Sequence, residues 1–231
     1  MAELAHIDQI RIVLAVAMLG IASFSDVKKK EISDIIWMVF GAIAVAIVFL
    51  GTDYTQELPK IGISLIVAPF VLLIWRIGLF GGADAFAIIV LAALAPNITL
   101  SAGVITPFTT LTNAVLMSIV PMIINVARNA ALVATKRDIF EGFDEPARKK
   151  IAAMFIGYRA ANPKYSFSIE KKVGNQKKFN FALQHAENTA FCKKSDTWVT
   201  PGIPYMLFIA AGFVLQLVYG DIIMSVFGAF Y

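Results

Sequence analysis

The sequence predicts an all-α polytopic membrane protein with six transmembrane helices and a small cytoplasmic α+β insert between spans 5 and 6. Three observations predict it. The chain is 58% hydrophobic with a mean hydropathy of +0.75, well above a soluble domain. Several apolar runs reach the roughly 20 residues a helix needs to cross a bilayer core. The basic residues are gathered into a few segments between those runs. Runs of this length are expected to be helical, because each backbone polar group in lipid needs a partner within its own segment.

The apolar runs fall at 8–24, 32–50, 60–80, 85–100, 107–134 and 202–220. The first follows "MAELAHIDQIR", with Glu3 and Asp8 in place of a basic cluster, and no A-x-A site comes after it. It reads as a retained helix rather than a cleaved signal. Pro96 and Asn97 interrupt the fourth run, and the fifth is long enough to tilt or project. Three parts result: residues 1–134 with spans 1 to 5, the insert 135–200, and 201–231 with the last span.

Charge sets the expected orientation. Lys28, Lys29 and Lys30 follow the first run, and 135–200 contains thirteen Lys or Arg, whereas the loops 51–60 and 95–107 hold only Lys60. The positive-inside rule then puts 25–31, 81–84 and 135–200 in the cytoplasm and both termini outside a cell membrane. This topology accounts for the net charge of +4, so no nucleic-acid partner is inferred. Trp37, Trp75 and Trp198 read as an aromatic belt at the cytoplasmic ends of spans. Pro201 and Pro204 read as helix-start prolines of the last one. Cys192, the single cysteine, reads as a bystander thiol.

In the insert, "EPARKKIAAMFIGYRA" (145–160) is expected to be a helix, with Pro146 in its first turn and Ile151, Met154, Phe155 and Tyr158 on one face. "KYSFSIE" (164–170) and "KFNFAL" (178–183) alternate apolar and polar residues, and read as two antiparallel strands joined by a turn. Aromatic and basic residues together here fit RNA, but a hairpin near anionic headgroups fits as well with less assumed.

Chemistry narrows by elimination. Only two histidines occur, His6 and His185, at the outer end and in the insert, so neither a histidine-ligated metal site nor a Ser–His pair fits within the spans. One cysteine excludes a four-cysteine zinc site. No P-loop or dinucleotide-binding fingerprint follows a strand. Carboxylates remain. Asp26 ends span 1 and Asp84 joins spans 3 and 4, so both finish at the same, cytoplasmic boundary. Asp34 opens span 2 there too, whereas Asp8, Asp53 and Asp221 finish on the other side.

Each of the three has a plainer role available. Asp34 and Asp84 suit helix N-termini, an effect of about 0.3–1 kcal/mol, and Asp26 offsets neighbouring lysines. Gly81 and Gly82 before Asp84 remove side-chain bulk and loosen the helix, which would leave backbone groups for an extended peptide to pair with. A simple turn would also tolerate them.

"SFSDVKKKEISD" (23–34) followed by "GGADA" (81–85) resembles the GxGD class of aspartic membrane proteases. Within it the chain is most similar to type IV prepilin peptidases, above all the archaeal preflagellin (archaellin) peptidases. The six-span layout, "GYRAANP" in the insert and "TPGIPYMLFIAAG" (200–212) extend the likeness over most of the chain. It departs in having Ala83 at the third motif position and Phe86 where many relatives carry a basic residue.

The resemblance implies a membrane-embedded aspartic endopeptidase that needs no cofactor or metal, with Asp26 and Asp84 catalytic and Gly81, Gly82 and Ala83 contacting substrate through backbone. The implied partners are membrane-inserted precursors of archaellin or pilin type, cut between a short basic leader and an apolar helix. The cysteine-rich domain of the bacterial methylating relatives is missing, which implies cleavage without N-methylation. Glu31, Asp34, Glu141, Asp144 and Glu145 are candidates for reading the leader's charge, chosen by sign and side of the membrane. A transporter using intramembrane carboxylates is the alternative, though such groups belong at midplane breaks within repeats, and no repeat is evident.

Overall fold

A computed structural model describes residues 2–50, 54–135, 138–174, 176–182 and 189–228, with the side chains of 2–5 and Leu50 outside the description. Asp53 and His185, weighed above, and the side chain of Glu3 lie outside the described residues. The chain forms two compact units: residues 1–117 with 204–231, and residues 118–203.

The first unit holds helices α1 (Ala2–Lys29), α2 (Ile35–Leu50), α3 (Tyr54–Ser64), α4 (Val67–Arg76), α5 (Gly82–Leu94), α6 (Thr109–Met117), α9 (Tyr205–Tyr219) and α10 (Ile222–Gly228). The second holds α7 (Ile119–Ala134), α8 (Ala147–Ile156) and strands β1 (Tyr158–Ala160), β2 (Ser166–Ser168), β3 (Glu170–Val173), β4 (Gln176–Phe179) and β5 (Thr197–Pro201).

Among the described residues three helical stretches are long and apolar enough to cross a membrane: His6–Lys29, Tyr54–Arg76 and Thr109–Ala134. The pair Tyr205–Tyr219 and Ile222–Gly228, bent by 42°, makes a fourth if counted as one span. Six long spans are therefore not what the helices themselves give. The runs predicted at 32–50 and 85–100 become α2 and α5, apolar but of only 16 and 13 residues. At 1.5 Å per residue a 13-residue helix is about 20 Å long, against a hydrocarbon core of about 30 Å. The fourth run ends at Leu94, just before the Pro96 and Asn97 interruption that the sequence marks.

The core of the first unit is built of aliphatic and small residues, among them Ala15, Met18, Ala22, Val67, Ala85, Leu94, Ile209 and Phe213. Large apolar side chains such as Val13, Phe49, Leu73 and Ile63 point outward and stay exposed, the pattern of helices that face lipid.

The second unit departs from the sequence expectations in several places. α8 stops at Ile156, so Tyr158 is not on its face but opens β1. Gly157 ends the helix in an extended conformation, and only glycine fits there, because a Cβ would collide with the Val199 carbonyl oxygen. The two predicted strands pair with each other, antiparallel, only where they adjoin the turn, Glu170 facing Phe179 and the Asn180 N–H donating to the Ile169 carbonyl at 2.8 Å. Ser166–Ser168 pairs with β5, and the hairpin lies within "EKKVGNQKKF", with Val173 facing Gln176. Lysine is a poor strand former, which is why that stretch read as a turn.

β5 was not expected at all. It is the centre of a three-stranded antiparallel sheet in the order β1-β5-β2. Trp198 within it is fully buried, its indole N–H donating to the Ile139 carbonyl at 2.9 Å, so it is a core residue rather than part of an interface belt. Trp37 is also buried, and Trp75 is half-buried with its ring 6.1 Å from that of Phe86. Pro201 closes β5, leaving Pro204 as the one helix-start proline of that pair, the N-cap of α9.

Candidate active site

The site is assembled from α1, α5 and α9, three helices of the first unit that each pack on the other two. α1 runs to Lys29 and finishes with two lysines in its last turn, where the negative end of the helix dipole favours them. Lys30, at φ 58°, turns the chain out of the helix while its N–H still bonds the Asp26 carbonyl at 3.0 Å.

Ser23 and Asp26 are three residues apart and so share a face of α1. Phe24 and Val27 project away and are exposed, whereas Ser23 is buried and Asp26 half-buried. That face meets one residue of α9 from both sides. Ser23 Oγ donates to the Met206 carbonyl at 3.2 Å, and the Asp26 carboxylate lies beside the Met206 backbone. Met206 is fully buried in the first turn of α9, where backbone N–H groups have no partner within the helix. A carboxylate placed there sits at the positive end of the α9 dipole. Lys30 is close enough to interact with it electrostatically.

Asp84 is placed by a different device. α4 ends in a Schellman turn: Gly78, at φ 82°, donates to the Trp75 carbonyl at 2.9 Å, and Leu79 to that of Ile74 at 3.1 Å. The chain then re-enters helix at Gly82, with extended Gly81 as N-cap. Asp84 is the third residue of α5 and its Oδ2 accepts the Gly81 N–H at 3.2 Å. The plainer role foreseen for Asp84, support of a helix N-terminus, is thus present. The Gly81 N–H is given to Asp84 and its carbonyl accepts from Ala85 at 3.3 Å, so this glycine's backbone is engaged within α5 rather than left open. Gly82 is buried; Ala83 is half-buried and packs on the core.

The two carboxylate-bearing segments converge on the same turn. Asp26 meets α9 at Met206, and Phe80, next to Gly81, has its ring 4.8 Å from that of Tyr205. Sequence reading did not single out Ser23, Phe80, Tyr205 or Met206. The three-residue spacing of Ser23 and Asp26 was the available signal; the Met206 contact is through backbone and leaves none.

The leader-reading candidates divide between the units. Glu31 and Asp34 are exposed in the link between α1 and α2. Glu141 and Asp144 are exposed in the second unit, Glu141 lying 3.7 Å from Arg159. Glu145 is engaged, with Lys149 at 2.9 Å and the Phe179 N–H at 3.2 Å. The Lys149 hydrogen bond, ahead of partial burial, holds its carboxyl below the ordinary value.

Long apolar helices point to a class, helical membrane proteins, and two acidic side chains, Asp26 and Asp84, stand at ends of helices that pack on one another. Comparison with known proteins makes this more particular. The family model described as Archaeal Peptidase A24 C-terminus Type II matches residues 149–222, from within α8 to the start of α10. The preflagellin peptidase of Methanocaldococcus jannaschii is 27% identical over 232 residues, covering 94% of this chain and 96% of that one. The preflagellin peptidase of Methanococcus maripaludis is 27% identical over 221 residues, covering 89% and 93%. The chain is thus similar to archaeal preflagellin peptidases over most of its length, and the name those relatives share is that of a protease.

Proposed function

We propose that this protein is a membrane-embedded aspartic endopeptidase that removes the short basic leader from preflagellin or type IV prepilin-like precursors at the cytoplasmic membrane face, without N-methylating the product. The observation that carries the reading is the convergence of the Asp26 and Asp84 segments on the first turn of α9. The relatives' name supplies the substrate class. The transporter reading is not favoured by these relatives.

In the proposed reaction Asp26 and Asp84 share one proton, because two neighbouring carboxylates do not both ionise readily. The ionised member takes a proton from water, whose oxygen attacks the scissile carbonyl. The neutral member donates a hydrogen bond to the developing oxyanion. As the tetrahedral intermediate collapses, the C–N bond breaks and a carboxyl proton passes to the leaving amine. The pair titrates jointly, so neither role belongs to one residue by name. Ser23 and the Met206 backbone fix the end of α1 that carries Asp26. The backbone of Gly82 and Ala83 contacts the extended substrate, with Gly81 joining when Asp84 releases its amide. Glu31 and Asp34, exposed beside the end of α1, read the leader's positive charge, with Glu141, Asp144 and Glu145 a secondary set. The short helices α2 and α5 complete six passes of the cell membrane with both termini outside.

The test is cleavage of a precursor by purified full-length protein in detergent, read by sequencing the new N-terminus. Asp26→Asn and Asp84→Asn should each lower the rate about a thousandfold or more, within the range for loss of an acid–base group, while Asp34→Asn keeps most of it. Undiminished cleavage by either of the first two variants would remove the dyad.

A further inference from the structure

We propose that the β3–β4 ribbon of the second unit is a docking surface for the anionic face of a lipid bilayer. The ribbon is two-stranded, and its register sets Lys171 directly opposite Lys178 and Lys172 directly opposite Lys177. Like charges facing each other across a strand pair destabilise it, and a two-stranded ribbon has little stability to spare. Lysines spaced along an edge guard against strand addition, but that purpose does not call for opposing them in two consecutive registers.

Elsewhere in this unit several cations sit on acids: Arg159 on Asp196 at 2.6 Å, Lys194 on Glu170 at 2.6 Å and Lys149 on Glu145 at 2.9 Å. The four ribbon lysines form no ion pair among the described residues. Lys178 feels Glu145 only at longer range, and the Lys177 ammonium lies 5.7 Å from the centre of the Phe143 ring.

The pleat separates two faces. Glu170, Phe179, Lys172 and Lys177 share the face that includes buried Phe179, whereas Lys171, Val173, Gln176 and Lys178 share the other and are all exposed. An exposed face with two lysines and a valine at its tip pairs cations for phosphate headgroups with an apolar side chain for the layer beneath. A chain that also carries membrane-crossing helices keeps this ribbon beside a bilayer, so weak headgroup contacts act at high effective concentration. Each basic side chain near an anionic surface adds attraction that fades within a Debye length.

The experiment uses full-length protein with Cys192→Ser and Val173→Cys, labelled at residue 173 with a fluorophore. It is reconstituted in nanodiscs of phosphatidylcholine, with or without phosphatidylglycerol, containing a headgroup-bound quencher. Quenching should be about twofold or more stronger in the anionic discs and should fall to the phosphatidylcholine level in 1 M salt, where the screening length is about 3 Å. Replacing all four lysines with Gln should abolish the difference. Should that variant misfold by circular dichroism, Lys171→Gln with Lys178→Gln, which alters only the exposed face, should at least halve it. Equal quenching in both lipids, or a lipid difference that survives loss of the lysines, overturns the proposal. So does salt-sensitive binding of an RNA oligonucleotide through these lysines without lipid dependence.

Discussion

The two units are held together by opposite means. In the small unit apolar rings do the joining: Trp198 stacks on Phe140 at 5.3 Å and meets Phe179 edge-on at 5.3 Å, and Phe179 stacks on Phe143 at 4.3 Å. Water drives such burial, and charged pairs sit around it. In the helical unit the surroundings are expected to be as apolar as the core, so hydrophobicity gives little preference for helix on helix, and close backbone approach with a few polar ties must serve instead. Those ties are visible. Arg11, 1% exposed, donates to the Leu94 carbonyl and to Glu57, both at 2.9 Å. Ser23 holds Met206, and Asn113 Nδ2 donates to the Gly220 carbonyl at 3.0 Å. The small unit has buried polar ties of its own, Asn129 donating to the Met154 and Gly157 carbonyls at 3.0 and 2.8 Å, but its ion pairs lie outside the ring cluster, so the helical unit should suffer most from losing a charge and the small unit from losing a ring.

The largest effect on stability should come from Arg11→Met. It leaves the Glu57 carboxylate and the α5 terminal carbonyl without their guanidinium, and breaking a buried pair costs about 3–5 kcal/mol. Reversible unfolding in detergent should record that loss. The double change Arg11→Met with Glu57→Leu should recover most of it, since replacing both partners by apolar groups is often neutral. A mild single variant would mean that this pair is not what ties α1 to α3 and α5.

In the small unit the matching change is apolar. Trp198→Ala should cost about 3–5 kcal/mol through the cavity it leaves. Hydrogen exchange should show the loss in β1, β2 and β5, with amides of α1, α5 and α9 unaffected. Spread into those helices would contradict two separately held units.

A smaller effect tests close approach. A Cβ on Gly212 would stand 2.7 Å from both the Ala114 nitrogen and the Thr110 oxygen, and backbone cannot yield as a side-chain tip can. Gly212→Ala should therefore push α6 from α9 and cost about 1–3 kcal/mol, seen as a lower unfolding midpoint in detergent. An unchanged midpoint would show that these two helices have room the distances deny.

The same contrast explains what was legible beforehand. Asp26 and Asp84 stood out because acids beside long apolar runs are costly and few. The runs themselves were legible, but not the breaks: hydropathy does not register the turn at Leu65–Ile66 within Tyr54–Arg76, or the bend between Tyr219 and Ile222. The small unit read poorly because its sheet is non-local. Tyr158–Ala160 and Thr197–Pro201 are three and five residues long, and each is a strand only because of the other and of β2. The opposed lysines looked like a loop for the same reason, since register is invisible until the partner is known. Ser23 and Met206 were hidden because half of their contact is backbone.

The smallest effect concerns Glu170, where the small unit's charged periphery reaches its core. Burial alone would raise this carboxyl, but hydrogen bonds from Lys194 and the Trp198 N–H, with the Thr197 hydroxyl nearby, outweigh it and hold it below its ordinary value; Arg159 interacts with it as well. A folded-state value below the unfolded one means the contribution is present above the unfolded value, about 4.3, and is lost as pH falls through the folded one. The unit should therefore keep constant stability from neutral pH to about 5 and weaken below about 4.3, by less than about 1 kcal/mol from this group because Lys194 is exposed. The Trp198 amide reports it directly, since it donates to Glu170 at 3.2 Å. Its exchange protection, corrected for intrinsic rate, should fall across that window. In Glu170→Gln it should start lower and fall less, the remaining slope belonging to groups such as Glu145, also depressed by its Lys149 bond. The same slope in both proteins would mean that the sheet's acid sensitivity comes entirely from the periphery and that Glu170 takes no part in it.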